Sequence, residues 1–166
     1  MNITVFLGGT SSERNVSLAS GIRIIDALRA RNHQVIPFDP ATGVLAEDDL
    51  HAIRTRAVGV EPPSLKALQG LSQAALRTDL LALPEIQNAD VVFLGLHGGY
   101  GEDGTLQAML DMAGVKYTGS GHLGSAIAMD KDVSKTLMRA AGVHTADWIM
   151  APASGDLATD EIITTL

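Results

Sequence analysis

The chain has 166 residues, of which 46% are apolar, so it is long enough to bury one hydrophobic core. No apolar run approaches the length of a membrane span, and residues 1–7 show neither the basic stretch nor the cleavage site of a signal peptide. A net charge of −7 and a pI near 5.0 argue against nucleic-acid binding, which needs a basic face. We therefore expect a cytoplasmic protein without membrane or nucleic-acid partners.

The chain contains no cysteine and five scattered histidines. This composition excludes disulfides, thiolate nucleophiles and zinc sites with sulfur ligands from the chain. An anionic nucleotide remains possible, because backbone N–H groups and one or two lysines can hold it locally.

The first forty residues have the pattern of a βαβ unit. A short apolar run at residues 2–7 predicts a buried strand that ends at two glycines. Residues 33–38 predict a second strand, which Pro37 and Pro40 should stop. Between them, residues 16–30 predict a helix with one apolar face. The residues of that face are Val16, Ala19, Ile22, Ile25 and Leu28 or Ala27.

The middle of the chain is less regular. Residues 41–88 predict a peripheral insertion with one or two helices. Residues 91–96 predict a strand covered on both faces, because they are continuously apolar. Residues 104–114 predict a helix that ends at a glycine, and residues 115–118 predict a short fourth strand.

The last part of the chain predicts two short helices, one near residues 123–129 and one over residues 131–141 that Asp130 caps. Residues 143–150 predict a strand, and a helix start follows near residues 159–166. These last elements are too few to form a domain, so we expect the natural protein to continue past the end of this chain.

The first candidate site is the GGTSSE loop at residues 8–13. Its glycines allow a tight turn into a helix whose N–H groups face a cleft. A purely structural interpretation is also open, in which Ser11 or Ser12 caps the helix and Glu13 complements its dipole. This loop lacks the G-x-G-x-x-G pattern of dinucleotide-binding folds, which argues against Asp39 as a ribose-binding acid.

The second candidate site is the HGGYGEDG loop at residues 97–104. Its four glycines let the backbone approach a ligand, while His97, Glu102 and Asp103 offer proton-transfer or hydrogen-bonding groups. In open α/β sheets, ligands collect at the carboxyl ends of the strands, where both loops should lie. The structural alternative is that the glycines only shape turns and that Asp103 caps the next helix.

The third candidate is the TGSG turn at residues 118–121 with the nearby Lys131. A glycine-serine turn at a helix start can bind an anion, and a lysine near it can reach a phosphate. By composition alone, Lys131 is equally typical of a solvated helix face.

In this order the three motifs resemble the N-terminal domain of the D-alanine:D-alanine ligases, members of the ATP-grasp superfamily. The matching stretches are LGGTSSERNVSLASG at 7–21, LHGGYGEDGTLQAMLD at 96–111, YTGSG at 117–121 and AMDKDVSK at 128–135. The resemblance implies a Rossmann-like open parallel sheet flanked by helices, the pre-ATP-grasp fold, followed by only the beginning of an ATP-grasp domain. It assigns residues 1–143 to the substrate-binding domain and residues 144–166 to that beginning.

The activity that the resemblance implies is the joining of two D-alanines for peptidoglycan synthesis. ATP activates the carboxylate of one D-alanine as an acyl phosphate, which the amine of the second D-alanine attacks. The resemblance implies that Glu13 holds the ammonium group of the first D-alanine and that Val16 lines the same subsite. His97 would stand near the reacting carboxylate, Glu102 would orient it, and Lys131 would reach the ATP phosphates.

The resemblance also implies a homodimer and a requirement for ATP and Mg²⁺. The metal ligands and most of the ATP pocket would follow this segment, which holds no metal site of its own and would be inactive alone. Two alternatives stay open: a related D-alanine:D-lactate or D-serine ligase, and a stand-alone domain that binds a small ligand without turnover.

Overall fold

A four-stranded sheet forms the centre of the fold in the computed structural model, which describes residues 1–56, 62–75 and 79–150. The sheet order is β3-β2-β1-β4. β1 is parallel to β2 and β4, whereas the short β3 is antiparallel to β2. The strands are β1 (Asn2–Phe6), β2 (Gln34–Asp39), β3 (Gly43–Val44) and β4 (Val91–Leu94). The predicted α/β class is confirmed, with a mixed sheet in place of a purely parallel one.

Helices lie between and after the strands. They are α1 (Arg14–Ala30), α2 (Glu47–Thr55), α3 (Leu65–Ala75), α4 (Pro84–Gln87), α5 (Thr105–Met112), α6 (His122–Met129) and α7 (Lys131–Ala140), with 3-10 turns at Leu80–Ala82 and Gly99–Gly101. None of them, among the residues that the structure describes, is long and apolar enough to cross a membrane.

The sheet is buried on both faces. Successive residues of a strand point to opposite sides, so Val5 and Phe6 of β1 enter different hydrophobic clusters. One cluster joins β1 to α1 and α2 and contains Ile3, Val5, Leu7, Ile22, Ile25 and Leu50. The other covers the opposite face and contains Phe6, Phe38, Leu80, Ile86, Val92, Leu96, Leu106 and Leu110.

Pro37 does not stop β2, contrary to the sequence prediction, but lies inside it opposite Val5. On the β1 side, the N–H of Leu7 donates to the carbonyl of Phe38, and on the other side the N–H of Leu45 donates to the carbonyl of Pro37. The nitrogen of Pro37, which has no hydrogen, therefore faces away from β1. A proline is tolerated in a strand where no ladder bond needs its N–H.

The buried face of α1 differs from the predicted one. Ile22 and Ile25 are buried as expected, but Val16 is 44% exposed. Ser17 and Gly21 occupy the buried positions instead. The helix lies so close to β1 that a Cβ on Gly21 would stand 2.5 Å from the Cβ of Leu7. Small residues are needed there because a larger side chain would push the helix off the sheet.

In two regions the number of helices and strands differs from the number that the sequence predicts. The 41–88 insertion contains a strand, three helices and a 3-10 turn among its described residues, rather than one or two helices. Residues 115–118 form no full strand and pair with β4 only through the bridge between Val92 and Tyr117. The helix over residues 105–112 and its end at Gly114, with φ +67°, are confirmed.

The chain divides into two compact units, Met1–Ala126 and Ile127–Leu166. Asp130 caps α7 as predicted, because its side chain accepts the N–H of Val133 at 3.0 Å. Residues 143–150 are described and form no strand, so that prediction is wrong. Trp148 instead packs on α7, where its Nε1 donates to Asp132 at 2.7 Å. The predicted elements in residues 151–166 lie outside the described residues, and the boundary at residue 143 stays a prediction.

We expect Gly21→Ala to lower the free energy of unfolding by about 1–3 kcal/mol, because the added methyl group collides with Leu7. Gly70→Ala is the matched control, since Gly70 also lies in a helix but has no atom within 4 Å of an added Cβ. That variant should be about 0.5–1 kcal/mol more stable than the wild type. Urea denaturation followed by circular dichroism measures both, and equal effects would contradict the close packing of α1.

Candidate functional site

Two glycine-rich loops lie side by side at the carboxyl ends of adjacent parallel strands. The first loop, residues 7–13, follows β1, and the second loop, residues 95–104, follows β4. They are joined directly, because the hydroxyl of Ser11 donates to the carbonyl of His97 at 2.5 Å. The predicted position of both loops at one edge of the sheet agrees with the structure.

The buried hydroxyl of Ser17 joins the beginnings of the two loops. It accepts the N–H of Gly8 at 2.9 Å and donates to the carbonyl of Gly95 at 2.8 Å. A buried backbone group without a hydrogen bond is costly, so one side chain here satisfies two strand ends.

A buried ion pair fixes the shape of the first loop. Asp39, at the end of β2, is 0% exposed and lies 2.5 Å from the guanidinium of Arg14. The same carboxylate accepts the N–H of Gly9 at 3.0 Å and that of Ala41 at 2.9 Å. Arg14 also donates to the carbonyl of Gly9. With its oxygens engaged by the protein, Asp39 is not available to bind a ribose.

Glu13 stands where the first loop enters α1. Its N–H donates to the hydroxyl of Ser11 at 3.1 Å. Glu13 itself is the N-cap of α1 and no side chain caps the helix, so the cap expected at Ser11 or Ser12 is wrong. The side chain is exposed, and its carboxylate has no hydrogen-bond or ion-pair partner among the described residues. A Cβ on Gly98 would lie 3.6 Å from the carboxyl carbon of Glu13, so this carboxylate lies against the second loop. Val16, a turn later, is exposed on the same helix.

The ring of His97 contacts Ser20, which is not among the site residues that the motifs predict. The hydroxyl of Ser20 lies 3.0 Å from Nε2 of His97. Glu102 was expected to orient this ring, but its carboxylate accepts the N–H of Gly98 at 2.7 Å and so holds the loop backbone. The structure thus brings Glu13, His97 and Glu102 into one pair of loops.

The remaining predicted residues have other positions. Asp103 accepts the N–H of Thr105 at 2.9 Å, but the N-cap of α5 is Gly104 without a side-chain hydrogen bond, so the alternative prediction that Asp103 caps this helix is wrong. Lys131 is the first residue of α7, lies in the second unit and has an exposed side chain. Its role as a phosphate contact stays a prediction.

The two loops pack against each other through residues of both, including His97 and Tyr100, and leave no cavity between them large enough for a water molecule. Burial raises the pKa of the Tyr100 phenol, and the side chain of Thr10 lowers it in part. The hydroxyl is buried without a hydrogen-bond partner of good geometry in the described part of the chain. Hollows of about 270 and 690 Å³ lie toward the amino ends of the strands and contain none of the predicted site residues.

Helical periodicity could have identified the serines that the motifs missed. Counted from Glu13, the positions four and seven residues later are Ser17 and Ser20, which share a helix face with it. The ion pair between Asp39 and Arg14 could not be predicted from a local pattern, because the two residues are 25 positions apart in the sequence.

A sheet with parallel strands and glycine-rich loops at their carboxyl ends places the molecule among the α/β domains that bind small ligands at a strand edge. A family model described as the D-ala D-ala ligase N-terminus matches residues 2–120, and the chain belongs to this family.

Similar proteins agree with this assignment. The chain is 41% identical over 165 residues to a D-alanine–D-alanine ligase of Pediococcus pentosaceus, covering 92% of this chain and 47% of that protein. It is 40% identical over 153 residues to the ligase of Nitratidesulfovibrio vulgaris strain DP4, covering 92% of this chain and 39% of that one. The chain therefore spans less than half the length of these curated relatives.

A solved structure shows the same fold. The crystal structure of the D-alanine–D-alanine ligase from Bacillus anthracis complexed with ATP superposes with a TM-score of 0.65 at 31% sequence identity. The match covers 99% of this chain and 44% of that one.

We expect Asp39→Asn to cost about 3 kcal/mol of unfolding free energy, because it leaves the mostly buried Arg14 without its charged partner. Asp26→Asn is the control, since Asp26 pairs with Arg54 at the exposed surface, where ion pairs contribute little. Chemical denaturation at neutral pH separates the two variants. An unchanged midpoint for Asp39→Asn would contradict the structural role of this pair.

We expect Tyr100→Phe to raise the stability at pH 7 by about 1 kcal/mol, because it removes an unpaired buried hydroxyl. The pKa of Tyr100 is higher in the folded state than its ordinary value of 10.0, so the stability linked to this phenol is fully present below that pH. It is lost as the pH rises through the folded pKa, and the advantage of the variant should therefore grow above pH 10.

Tyr117→Phe is the contrasting variant, since that hydroxyl donates to Asp111 at 2.9 Å. It should lower the stability at pH 7. Urea titrations at several pH values test both tyrosines, and a loss of stability in Tyr100→Phe at pH 7 would refute the unpaired hydroxyl.

Proposed function

We propose that this chain is the substrate-binding part of an ATP-dependent ligase that joins two D-alanines into D-alanyl-D-alanine. In this reaction the carboxylate of one D-alanine takes the terminal phosphoryl group of ATP, which leaves ADP and an acyl phosphate. The amine of the second D-alanine then attacks the acyl carbon, and the bond to phosphate breaks. The observation that carries the proposal is the pair of loops with Glu13 and His97, found in a member of this family.

Glu13 is proposed to hold the ammonium group of the first D-alanine. Its carboxylate is exposed beside Gly98 and has no protein partner among the described residues, so its charge is available to a ligand. Gly98 adopts φ +67°, a conformation that glycine permits, and its missing side chain leaves room in front of the carboxylate. Val16 is proposed to line the same subsite.

His97 is proposed to stand at the reacting carboxylate. Its carbonyl is tied to Ser11 and the next N–H to Glu102, so the backbone that carries the ring is fixed from both sides. A group held in advance near a developing charge needs no reorganisation during the reaction, which makes its stabilisation effective. Glu102 then acts through the loop that it holds.

Lys131 is proposed to bind an ATP phosphate. It is exposed and opens α7, where a cation is not needed for helix stability, since the N-terminal end of a helix favours negative charge. ATP use is supported by the ATP complex of the Bacillus anthracis ligase. Phosphoryl transfer depends mainly on positioning and charge neutralisation, for which a lysine suffices.

The proposal extends to Mg²⁺, a homodimer, a cytoplasmic location and a role in peptidoglycan synthesis. The described residues contain no group of three or more His, Asp or Glu side chains that could hold a metal ion. The proposal therefore assigns the Mg²⁺ ligands to other parts of the protein, where the ion would neutralise phosphate charge.

ADP release by the protein that contains this chain tests the proposal, with D-alanine as the first substrate and D-alanine, D-lactate or D-serine as the acceptor at several pH values. Formation of D-alanyl-D-alanine supports the proposal. Preference for another acceptor would replace it by a related ligase, and ligand binding without ADP release would replace it by a binding domain.

We expect Glu13→Gln to reduce kcat/KM for D-alanine by about tenfold to a hundredfold, because a hydrogen bond to a charged group contributes about 1.5–3 kcal/mol. KM for ATP should stay unchanged. Glu47→Gln is the control, because Glu47 is an exposed glutamate paired with Arg29 on the surface. A loss of no more than severalfold in Glu13→Gln would refute the role of Glu13.

A further inference from the structure

The hydroxyl of Ser20 has three neighbours with hydrogen-bonding capacity. It lies 3.0 Å from the carbonyl oxygen of Val16 and 3.2 Å from that of Ser17, both on its own helix. Its third neighbour is Nε2 of His97, at 3.0 Å. The contact with His97 joins α1 to the second loop through side chains alone.

The donors and acceptors of this group can be counted. A serine hydroxyl has one hydrogen and can accept through its oxygen, whereas a carbonyl can only accept. If the hydrogen points to Val16, the oxygen of Ser20 is free to accept from an Nε2–H of His97, and two hydrogen bonds form. If the hydrogen points to Nε2, one bond forms and the oxygen faces two carbonyl oxygens that cannot donate to it. The first arrangement is favoured.

We propose that Ser20 is a positioning residue that keeps the proton of neutral His97 on Nε2 and leaves Nδ1 as the atom available to a ligand. Nδ1 has no hydrogen-bond partner among the described residues. In the neutral ring Nδ1 accepts a hydrogen bond, and only after taking up a proton does it donate one. The ring therefore gains and loses its second proton at Nδ1, while the Nε2–H group stays hydrogen-bonded to Ser20.

The consequence for catalysis rests on the proposed ligase function. For Nδ1 to donate a hydrogen bond to the growing negative charge, the ring must then be protonated on both nitrogens. Ser20 supports that form as well, because its oxygen accepts from Nε2–H in both protonation states. Loss of Ser20 should free the ring to rotate and to change tautomer, without removing any group that touches the substrate.

The chain contains a matched control for Ser20. Thr55 in α2 makes the same two contacts to its own helix, at 3.2 Å to the carbonyl of His51 and 3.1 Å to that of Ala52. Among the described residues, no histidine ring contacts its hydroxyl. Thr55→Ala thus removes a helical hydroxyl of the same kind without changing a partner of His97.

The test uses the full protein labelled with ¹⁵N at histidine, with the His97 signals assigned through His97→Gln. Long-range ¹H–¹⁵N spectra above the titration range of the ring report which nitrogen holds the proton. We expect a neutral ring protonated on Nε2, with an Nε2 proton that exchanges slowly with water. In Ser20→Ala this proton should exchange faster and the Nδ1–H form should increase, whereas Ser20→Thr and Thr55→Ala should resemble the wild type.

Kinetics provide the second measurement. Ser20→Ala should lower kcat for D-alanyl-D-alanine formation by about tenfold, with KM for ATP unchanged and activity restored in Ser20→Thr. A wild-type ring protonated on Nδ1, or an Nε2 signal unaffected by Ser20→Ala, would overturn the proposal whatever the activity. Absence of ligase activity in the wild type, with the expected spectra, would instead refute the proposed function and leave the tautomer assignment standing.

Discussion

The buried carboxylate of Asp39 determines the shape of the first loop. A charged group without water must be paired and hydrogen-bonded, and Asp39 meets this requirement through Arg14 and two backbone N–H groups. The pairing ties the end of β2 to the start of α1 and to the loop between β1 and α1. The position at which Glu13 leaves that loop follows from this connection, although the carboxylate of Asp39 is itself fully buried.

The two loops consist largely of glycine and so have few side chains with which to hold themselves. Serines of the first loop and of α1 provide the missing hydrogen bonds: Ser11 to His97, Ser17 to Gly8 and Gly95, and Ser20 to the His97 ring. Each hydroxyl can donate and accept at once, which lets one small residue serve two loops. The glycine-rich backbone of both loops is thereby held in place next to Glu13 and His97.

The sequence predicts the elements whose signal is local. The apolar run of β1, the cap at Asp130 and the glycine end of α5 are all read from adjacent residues and agree with the structure. Contacts between distant positions leave no local pattern, so the pairing of Arg14 with Asp39 was missed. Residues 143–150 look like a strand because they are apolar in part, but a strand also needs a neighbour to pair with.

Pro37 has a consequence beyond its place in the ladder. A sheet edge with free N–H groups can recruit a strand from another molecule, which is a common route to aggregation. Here β3 covers Phe38 and Asp39 of β2, and the N–H of Leu45 reaches the carbonyl of Pro37, so the paired part of this edge ends at the proline. The nitrogen of Pro37 faces this edge and carries no hydrogen, so the edge has no free N–H group at the point where its pairing ends. The residue that first looked like the end of a strand thus removes one N–H group through which the edge of β2 could recruit a strand from another copy.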